Sequence, residues 1–186
     1  MENDLAEYFH ALFPCAKDLL PGPTGTLRLA CYLTDKTPPL QYVISARAVV
    51  ANGHQVLVVQ EPGVRHVFGN PHILPGGRLE LKETPEDTVR REVMEETGRR
   101  LSCIRPIGIL HFTFIDPKPE GYPYPYPDFI QIVYVACPGA HYPDPKEVTG
   151  YELESEFVQV AEARQQPLNA GQQEFLTTAI KCIWKS

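Results

Sequence analysis

The stretch that decides the fold is residues 77–99, which reads GRLELKETPEDTVRREVMEETGR. Its second half has the pattern of a helix from Thr84 to Gly98. Thr84 can cap the N-terminus, and Asp87 three residues later completes a capping box. Pro85 suits the first helical position, because the N–H that it lacks would have no partner there. Gly98 is a natural C-terminal stop.

Three carboxylates lie on one side of this predicted helix. At 100° per residue, Glu92, Glu95 and Glu96 fall within an arc of about 100°. Like charges at these spacings repel by about a few tenths of a kcal/mol per pair. Such a face is either solvated surface or a place for a divalent cation. Hard cations such as Mg²⁺ prefer carboxylate oxygens and are usually shared with substrate phosphates.

The wider spacing decides between these two interpretations. Gly77, Glu83, Arg91 and Gly98 stand at fixed distances from the three glutamates. Together they match the Nudix box, G-x5-E-x7-R-E-U-x-E-E-x-G-U, in which U is a bulky apolar residue. At residue frequencies of about 7%, seven fixed matches arise by chance about once in 10⁸ starting points. The sequence therefore resembles the Nudix hydrolase family.

The resemblance implies an α/β fold of the Nudix type. In this fold an α/β/α sandwich surrounds a mixed β-sheet, and the box forms a loop–helix–loop. We expect one domain over residues 1–186, with a core over 40–184 and an N-terminal extension over 1–39. Arg99 departs from the box at its last apolar position, and Leu101 is expected to fill that place in the core.

Hydrophobic periodicity predicts the other elements. Apolar spacing over residues 1–20 predicts a helix, and Asn52-Gly53 between two runs rich in Val and Ile predicts a hairpin. The remaining predicted elements are strands at 27–33, 42–51, 55–60, 101–114, 129–136 and 157–160, loops at 61–72 and 116–128, and a closing helix at 172–184.

The resemblance also implies roles for the residues of the box. Glu92, Glu95 and Glu96 are the expected ligands of Mg²⁺, with Mn²⁺ as an alternative cation. The carbonyl of Gly76 is expected to complete the set, since glycine leaves the backbone free to turn a carbonyl inward.

The implied reaction is metal-assisted hydrolysis of a diphosphate, in which the cation lowers the pKa of the attacking water. Arg91 is expected to pair with Glu83 and to hold the carboxylates in register. A carboxylate must accept the proton from the water. The candidates for this base are Glu154, on a later loop, and Glu96.

Cationic and aromatic side chains outside the acidic face are candidates for binding the substrate. Arg47 lies in an otherwise apolar strand and would need a partner if it faced inward. Arg65, on the loop before the box, and Arg78, within it, are candidates for contacting phosphates. Tyr124, in the loop of alternating Tyr and Pro, is a candidate for stacking on a nucleobase. The alternative for this loop is a stiff polyproline-like segment that only shields the core.

Composition limits the partners. The 186 residues include 17 Lys and Arg against 23 Asp and Glu, a formal net charge of −6. This charge argues against long nucleic acid, because phosphate backbones attract cationic side chains. There is no run of about 18 apolar residues, so we expect no membrane span. The five cysteines are scattered without a Cys-x-x-Cys pair, which favours reduced thiols in a cytoplasmic protein.

The sequence thus predicts Mg²⁺-dependent hydrolysis of a diphosphate linkage in a small nucleotide-like substrate. This would be a nucleoside diphosphate joined to another group, or a nucleoside triphosphate. A non-catalytic, ligand-sensing domain is one alternative, although such domains often lose box glutamates and this chain keeps them all. A prenyl diphosphate isomerase is a weaker alternative, since no cysteine lies in the box and Cys103 is the nearest. A homodimer is expected from the family resemblance only.

Overall fold

The computed structural model describes residues 2–22, 25–60, 72–142, 155–166 and 168–183. Its helices are α1 (Glu2–His10), α2 (Pro85–Thr97), α3 (Val160–Ala163) and α4 (Ala170–Ile183), with a 3₁₀ turn at Leu40–Tyr42. Its strands are β1 (Ala16–Gly22), β2 (Gly25–Leu33), β3 (Val43–Asn52), β4 (Gln55–Gln60), β5 (His72–Ile73), β6 (Gly76–Arg78), β7 (Arg99–Phe114), β8 (Asp128–His141) and β9 (Ser155–Gln159).

The described strands form one mixed sheet. Their order is β1-β2-β7-β8-β3-β4-β5, while β6 pairs with β3 and β9 pairs with β4. Strands β3 and β8 run parallel, and the other neighbours run antiparallel. The prediction of a mixed sheet is therefore confirmed.

Helices cover both faces of this sheet. On one face, α2 buries Val89 and Val93, and α1 adds Leu5 to the same cluster. On the opposite face, α4 buries Phe175 and Leu176. This layering confirms the predicted α/β/α sandwich. None of the helices in the described ranges is long and apolar enough to cross a membrane.

The helix of the box has the predicted caps. Thr84 Oγ1 accepts a hydrogen bond from the Asp87 N–H at 3.2 Å, and the Asp87 carboxylate accepts one from the Thr84 N–H at 3.2 Å. Gly98 ends the helix with a φ of 66°, which glycine adopts without a steric penalty. Leu101 is buried in the cluster beneath α2. That Leu101 takes the place of the last apolar position of the box stays a prediction.

The N-terminal segment differs from its prediction. The helix expected over residues 1–20 ends at His10, and Ala16–Gly22 forms β1 instead. Strand β1 pairs with β2 along its whole length, so hydrogen bonding to a strand that comes later in the chain overrides the local apolar spacing. Phe13, which lies between α1 and β1, is 89% exposed.

The other predicted elements are present with shifted ends. The hairpin turn is Gly53-His54 rather than Asn52-Gly53, because Asn52 pairs with Gln55. The last strand ends at Gln159, and α3 begins at the next residue. The loop predicted over 61–72 falls almost entirely outside the described residues.

The expectation of five reduced thiols is wrong. Cys103 and Cys137 form a disulfide between β7 and β8, with Cα atoms 5.1 Å apart. The two residues stand opposite each other in the register of these strands. They are 34 residues apart in the chain, so local spacing gives no sign of the pairing. Part of the support for a cytoplasmic location is thereby lost, since disulfides are rare in that compartment.

The capping box predicts a coupled effect on stability. We expect Thr84→Ala and Asp87→Ala each to lower the free energy of unfolding by about 1 kcal/mol. The double variant should lose less than the sum, because the two side chains also bond each other at 2.6 Å. Urea unfolding measures the losses, and Thr37→Ala, an exposed threonine outside the helices, is the control. Strictly additive losses would contradict a shared box.

Candidate active site

The box begins on β6, and two glycines allow this strand to pass close to its neighbours. Gly76 lies opposite Arg47 of β3 and has a φ of 139°, and a Cβ on it would overlap the carbonyl oxygen of Ala46. A Cβ on Gly77 would overlap the carboxylate of Glu92. Gly76 therefore needs glycine for β6 to lie against the backbone of β3, whereas a side chain at Gly77 would displace the Glu92 carboxylate from its present position.

Arg91 connects the carboxylates of the box. Its Nε and Nη2 donate to the two oxygens of Glu83 at 2.7 and 3.1 Å, the two-pronged geometry of strong guanidinium–carboxylate pairs. Its Nη1 donates to Glu92 at 3.0 Å and to Glu95 at 2.9 Å. Nη2 also donates to the carbonyl of Arg78 at 3.1 Å. The predicted pair of Arg91 and Glu83 is present, and it extends to two further glutamates.

These contacts shift the pKa values of the groups involved. The Arg91 guanidinium lowers the pKa of Glu83 to about 2, and Glu83 in turn raises the pKa of Arg91. Burial raises the pKa of Glu92, and Arg91 opposes that effect. A carboxylate that is partly removed from water is stabilised in its charged form by any further positive charge.

Two of the box glutamates lie against the glycines of β6. Glu92 lies against Gly77, and Glu96 Oε2 accepts a hydrogen bond from the Gly76 N–H at 2.9 Å. In this conformation, no group of three acidic, His or Cys side chains within the described ranges stands close enough to hold a metal ion. The donors are nevertheless the hard oxygens that Mg²⁺ prefers. Because Gly77 has no side chain, the Glu92 carboxylate can lie directly against β6, and this set of oxygen donors fits a divalent cation.

Arg47 has the partner that its apolar surroundings require. Its Nη1 donates to the carbonyl of Leu74 at 2.6 Å, just before the glycines of the box. Its charge also contributes to lowering the pKa of Glu92 against the effect of burial. Arg47 is therefore a cation within electrostatic range of the acidic face.

Two residues predicted to bind substrate contact each other. Arg78 Nη1 donates to the Tyr124 hydroxyl at 2.7 Å, and the guanidinium carbon lies 4.7 Å from the centroid of the Tyr124 ring. The rest of the Tyr-Pro loop is packed differently. Tyr122 and Tyr126 lie against Phe114, with ring centroids 5.3 and 5.5 Å away. The loop therefore shields the core with two of its tyrosines and presents the third to the box.

Two other predicted site residues, Arg65 and Glu154, lie outside the described residues.

Two polar residues that sequence reasoning missed lie on the sheet beside Arg78. Ser45 of β3 stands opposite both Gln131 of β8 and Arg78 of β6, and paired residues on neighbouring strands point to the same face. Gln131 Nε2 donates to Ser45 Oγ at 3.0 Å, and both side chains are buried. We call Arg78, Ser45 and Gln131 the polar row. The sequence does contain one sign of this row, because Gln131 is the polar residue in an otherwise apolar run at 129–136.

Aromatic rings flank the polar row. Phe112 and Phe129 are opposite each other on β7 and β8, with ring centroids 4.8 Å apart and planes at 7°. Phe129 precedes Gln131 by two residues, so both side chains lie on one face of the sheet. Both rings are partly exposed. The row therefore ends beside a flat apolar surface.

Comparison with known proteins identifies the family. The model of the NUDIX domain matches residues 41–179. The chain belongs to the Nudix family. The Nudix chain is 41% identical over 73 residues to a MutT-like protein of Streptomyces ambofaciens, covering 39% of this chain and 44% of that protein. It is 31% identical over 86 residues to a "Probable DHNTP pyrophosphohydrolase" of Lactococcus lactis subsp. cremoris (strain MG1363). That match covers 45% of this chain and 48% of that protein. The matches thus span less than half the length of these curated relatives.

Solved structures show the same fold. The Bacillus subtilis pyrophosphohydrolase BsRppH has a TM-score of 0.58 and 16% identity, covering 90% of this chain and 96% of that one. A NUDIX hydrolase from Nitrosomonas europaea has a TM-score of 0.55 and 21% identity, and the match covers 76% of this chain and 88% of that one. The likeness at these identities concerns the fold alone, and it confirms the predicted Nudix fold.

The low pKa of Glu83 makes stability depend on pH. The pKa of Glu83 in the folded protein is about 2, below its ordinary value of 4.5. The charged carboxylate therefore stabilises the fold at pH values above this ordinary pKa. That stabilisation is lost as the pH falls toward the folded value. We expect Glu83→Gln to be less stable than the wild type near neutral pH, and the difference to shrink between about pH 5 and pH 2.

Denaturant unfolding in metal-free buffer measures this difference. The control is Glu86→Gln, because Glu86 pairs with Arg90 on the same helix but both side chains are over 40% exposed (48% and 43%). Exposed pairs contribute little, so the control should show a smaller difference. A loss of stability in Glu83→Gln that does not vary with pH would contradict the charged pair.

Proposed function

We propose that this Nudix domain catalyses the Mg²⁺-dependent hydrolysis of a diphosphate linkage in a small nucleotide-like substrate. The observation that carries the proposal is the acidic face of α2, held by Arg91 against the two glycines of β6. One relative and one structural neighbour bear the name pyrophosphohydrolase, which supports the reaction class and leaves the substrate of this chain open.

Glu92, Glu95, Glu96 and the carbonyl of Gly76 are the groups that would hold the cation, with Mn²⁺ as an alternative to Mg²⁺. When bound, such a cation neutralises phosphate oxygens and lowers the pKa of the attacking water. Arg91 positions two of these glutamates through its Nη1. Glu83 fixes Arg91 from the other side of the guanidinium.

Glu96 and Glu154 are the candidates for accepting the proton of the attacking water. The Gly76 N–H holds one oxygen of Glu96 at 2.9 Å, which fixes the carboxylate beside the strand that opens the box. A base must be held within hydrogen-bonding reach of the proton that it takes, and this contact supports Glu96. Glu154 precedes β9 in the chain, and its part stays a prediction.

Arg47, Arg65 and Arg78 are proposed to contact the phosphates, and Tyr124 the planar part of the substrate. Arg47 and Ser45 are two residues apart on β3, which corresponds to about 7 Å along one face of the strand. Arg47 thus lies near the acidic face, and the polar row lies next to Arg47 along β3. The stacked rings of Phe112 and Phe129 lie beyond the polar row. This sequence of groups suits a phosphate at one end and a ring with hydrogen-bonding edges at the other.

The alternatives are weaker on this structure. A prenyl diphosphate isomerase would need a protonating thiol, and Cys103, the candidate nearest the box, is bonded to Cys137. A ligand-sensing domain would have no need of the Arg91 contacts that hold the glutamates together. A cytoplasmic location, a homodimer and the absence of long nucleic acid as a partner stay predictions.

The experiment that tests the reaction is product analysis with a panel of substrates. Nucleotide sugars, dinucleoside polyphosphates, nucleoside triphosphates and coenzymes are incubated with Mg²⁺, and the products are identified by mass. We expect release of phosphate, diphosphate or nucleoside monophosphate from at least one class, and none after chelation of the metal. Binding of a panel member without turnover would favour the sensing alternative.

The acidic face can be tested by charge removal. We expect Glu95→Gln and Glu96→Gln to lose at least about 100-fold in kcat/KM, because each removes a proposed ligand, and even residues that support ligands cost about 10–100-fold. Glu86→Gln, on the exposed side of the same helix, should keep wild-type turnover. Full activity in both ligand variants, with the fold intact, would overturn the proposed ligand set.

The polar row can be tested through substrate discrimination. We expect Gln131→Leu to lower kcat/KM by about 10–100-fold for the preferred nucleotide, because a ring edge then lacks its hydrogen-bonding partner. A diphosphate compound without a heterocycle should lose much less. Gln159→Leu, an exposed glutamine on β9, is the control. An equal loss for all substrates would indicate a purely structural role of Gln131.

A further inference from the structure

Two cysteines outside the candidate active site are in direct contact. The Sγ atoms of Cys15 and Cys31 lie 3.3 Å apart. The Cys15 N–H donates to the Cys31 carbonyl at 2.8 Å, so the backbone at the start of β1 is already fixed against β2. A disulfide bond is about 2.05 Å long. The two sulfurs therefore need to approach by only about 1.3 Å to form one.

The two thiols differ in accessibility. Cys15 is exposed, whereas Cys31 is fully buried. Cys31 Sγ also lies 3.9 Å from the carbonyl of Gly171, in the first turn of α4. Burial raises the pKa of Cys31, and the neighbouring Cys15 and Glu174 raise it further. An external reagent thus meets Cys15 first, and Cys31 stands directly behind it.

We propose that Cys15 and Cys31 form a reversible thiol-modification site that closes to a disulfide in the presence of a small disulfide such as oxidised glutathione. The inference is independent of the proposed hydrolysis, since neither cysteine contacts the box. The disulfide between Cys103 and Cys137 joins two residues that are directly opposite on neighbouring strands, whereas Cys15 lies one residue before Ala16, the register partner of Cys31.

The chemistry is two successive thiol–disulfide exchanges. The thiolate of Cys15 attacks one sulfur of the external disulfide, forms a mixed disulfide and releases one small thiolate. Cys31, whose raised pKa keeps it protonated until this step, then loses its proton, attacks the Cys15 sulfur and releases the second small thiolate. Two protein thiols are oxidised, one external disulfide is reduced to two thiols, and the two protons pass from the cysteines to the released thiolates.

Closure would tie the N-terminal layer to the rest of the fold. Cys15 lies between α1 and β1, at the outer edge of the sheet, while Cys31 lies beneath α4. The bond would close a loop of about 15 residues, which removes conformational freedom mainly from the unfolded chain. We expect the midpoint of thermal unfolding to rise by about 6–12 °C.

Peptide mapping without reductant tests the proposal. Cleavage after Lys17, Arg28 and Lys36 places the two cysteines in peptides 1–17 and 29–36. Cys103 and Cys137 remain together in a separate peptide, 101–146, because prolines follow Arg105 and Lys118. After treatment of the folded protein with oxidised glutathione, peptides 1–17 and 29–36 should appear joined, and excess thiol should separate them.

Three variants complete the test. Cys31→Ser should stop at a glutathione adduct on Cys15, and Cys15→Ser, a change at an exposed position, should form neither product and show no thermal shift. Cys182→Ser should behave like the wild type. A wild-type product that carries only glutathione on Cys15, or that joins peptide 1–17 to the Cys182 peptide, would overturn the proposal. Unreacted thiols at both positions would overturn it equally.

Discussion

The structure around the box depends on one guanidinium. Three glutamates within two turns of a helix repel one another, and the partial burial of Glu92 makes its charge more costly still. Arg91 offsets this repulsion because its Nη1 donates hydrogen bonds to Glu92 and Glu95. Its Nε and Nη2 donate to Glu83 at the same time. Gly76 then lets β6 lie against the backbone of β3, and Gly77 leaves the position beside β6 to the Glu92 carboxylate.

This arrangement has a consequence for how a cation would enter. Nη1 of Arg91 and a divalent ion would compete for the same oxygens of Glu92 and Glu95. The contacts of Nε and Nη2 with Glu83 involve none of those oxygens. Arg91 could therefore lose its hydrogen bonds to Glu92 and Glu95 and keep its position through its hydrogen bonds to Glu83. Glu83 would then hold the positive charge of Arg91 beside the site with or without a cation, and its low pKa keeps its own carboxylate charged.

The parts that sequence reasoning predicted well are those specified by neighbours in the chain. The caps of α2, the face shared by its glutamates and the hairpin of β3 and β4 all depend on residues within a few positions of one another. The pairing of Cys103 with Cys137 and of Ala16 with Cys31 depends on strand register instead. Register is decided by the whole sheet, so the helix expected over residues 1–20 is wrong beyond His10, and local spacing does not reveal the disulfide.

The same distinction separates the chemistry of the site from its specificity. The proposed ligands and Arg91 come from one continuous stretch, so a spacing pattern can reveal them. The polar row combines three strands that are neighbours only in space, and Gln131 is 86 residues from Ser45. Arg78 meets Tyr124 across 46 residues. If these groups bind the substrate as proposed, a change of substrate requires changes on several strands while the box stays as it is. The spacing of the box therefore indicates the class of reaction, whereas the proposed substrate contacts on the sheet leave no comparable pattern in the sequence.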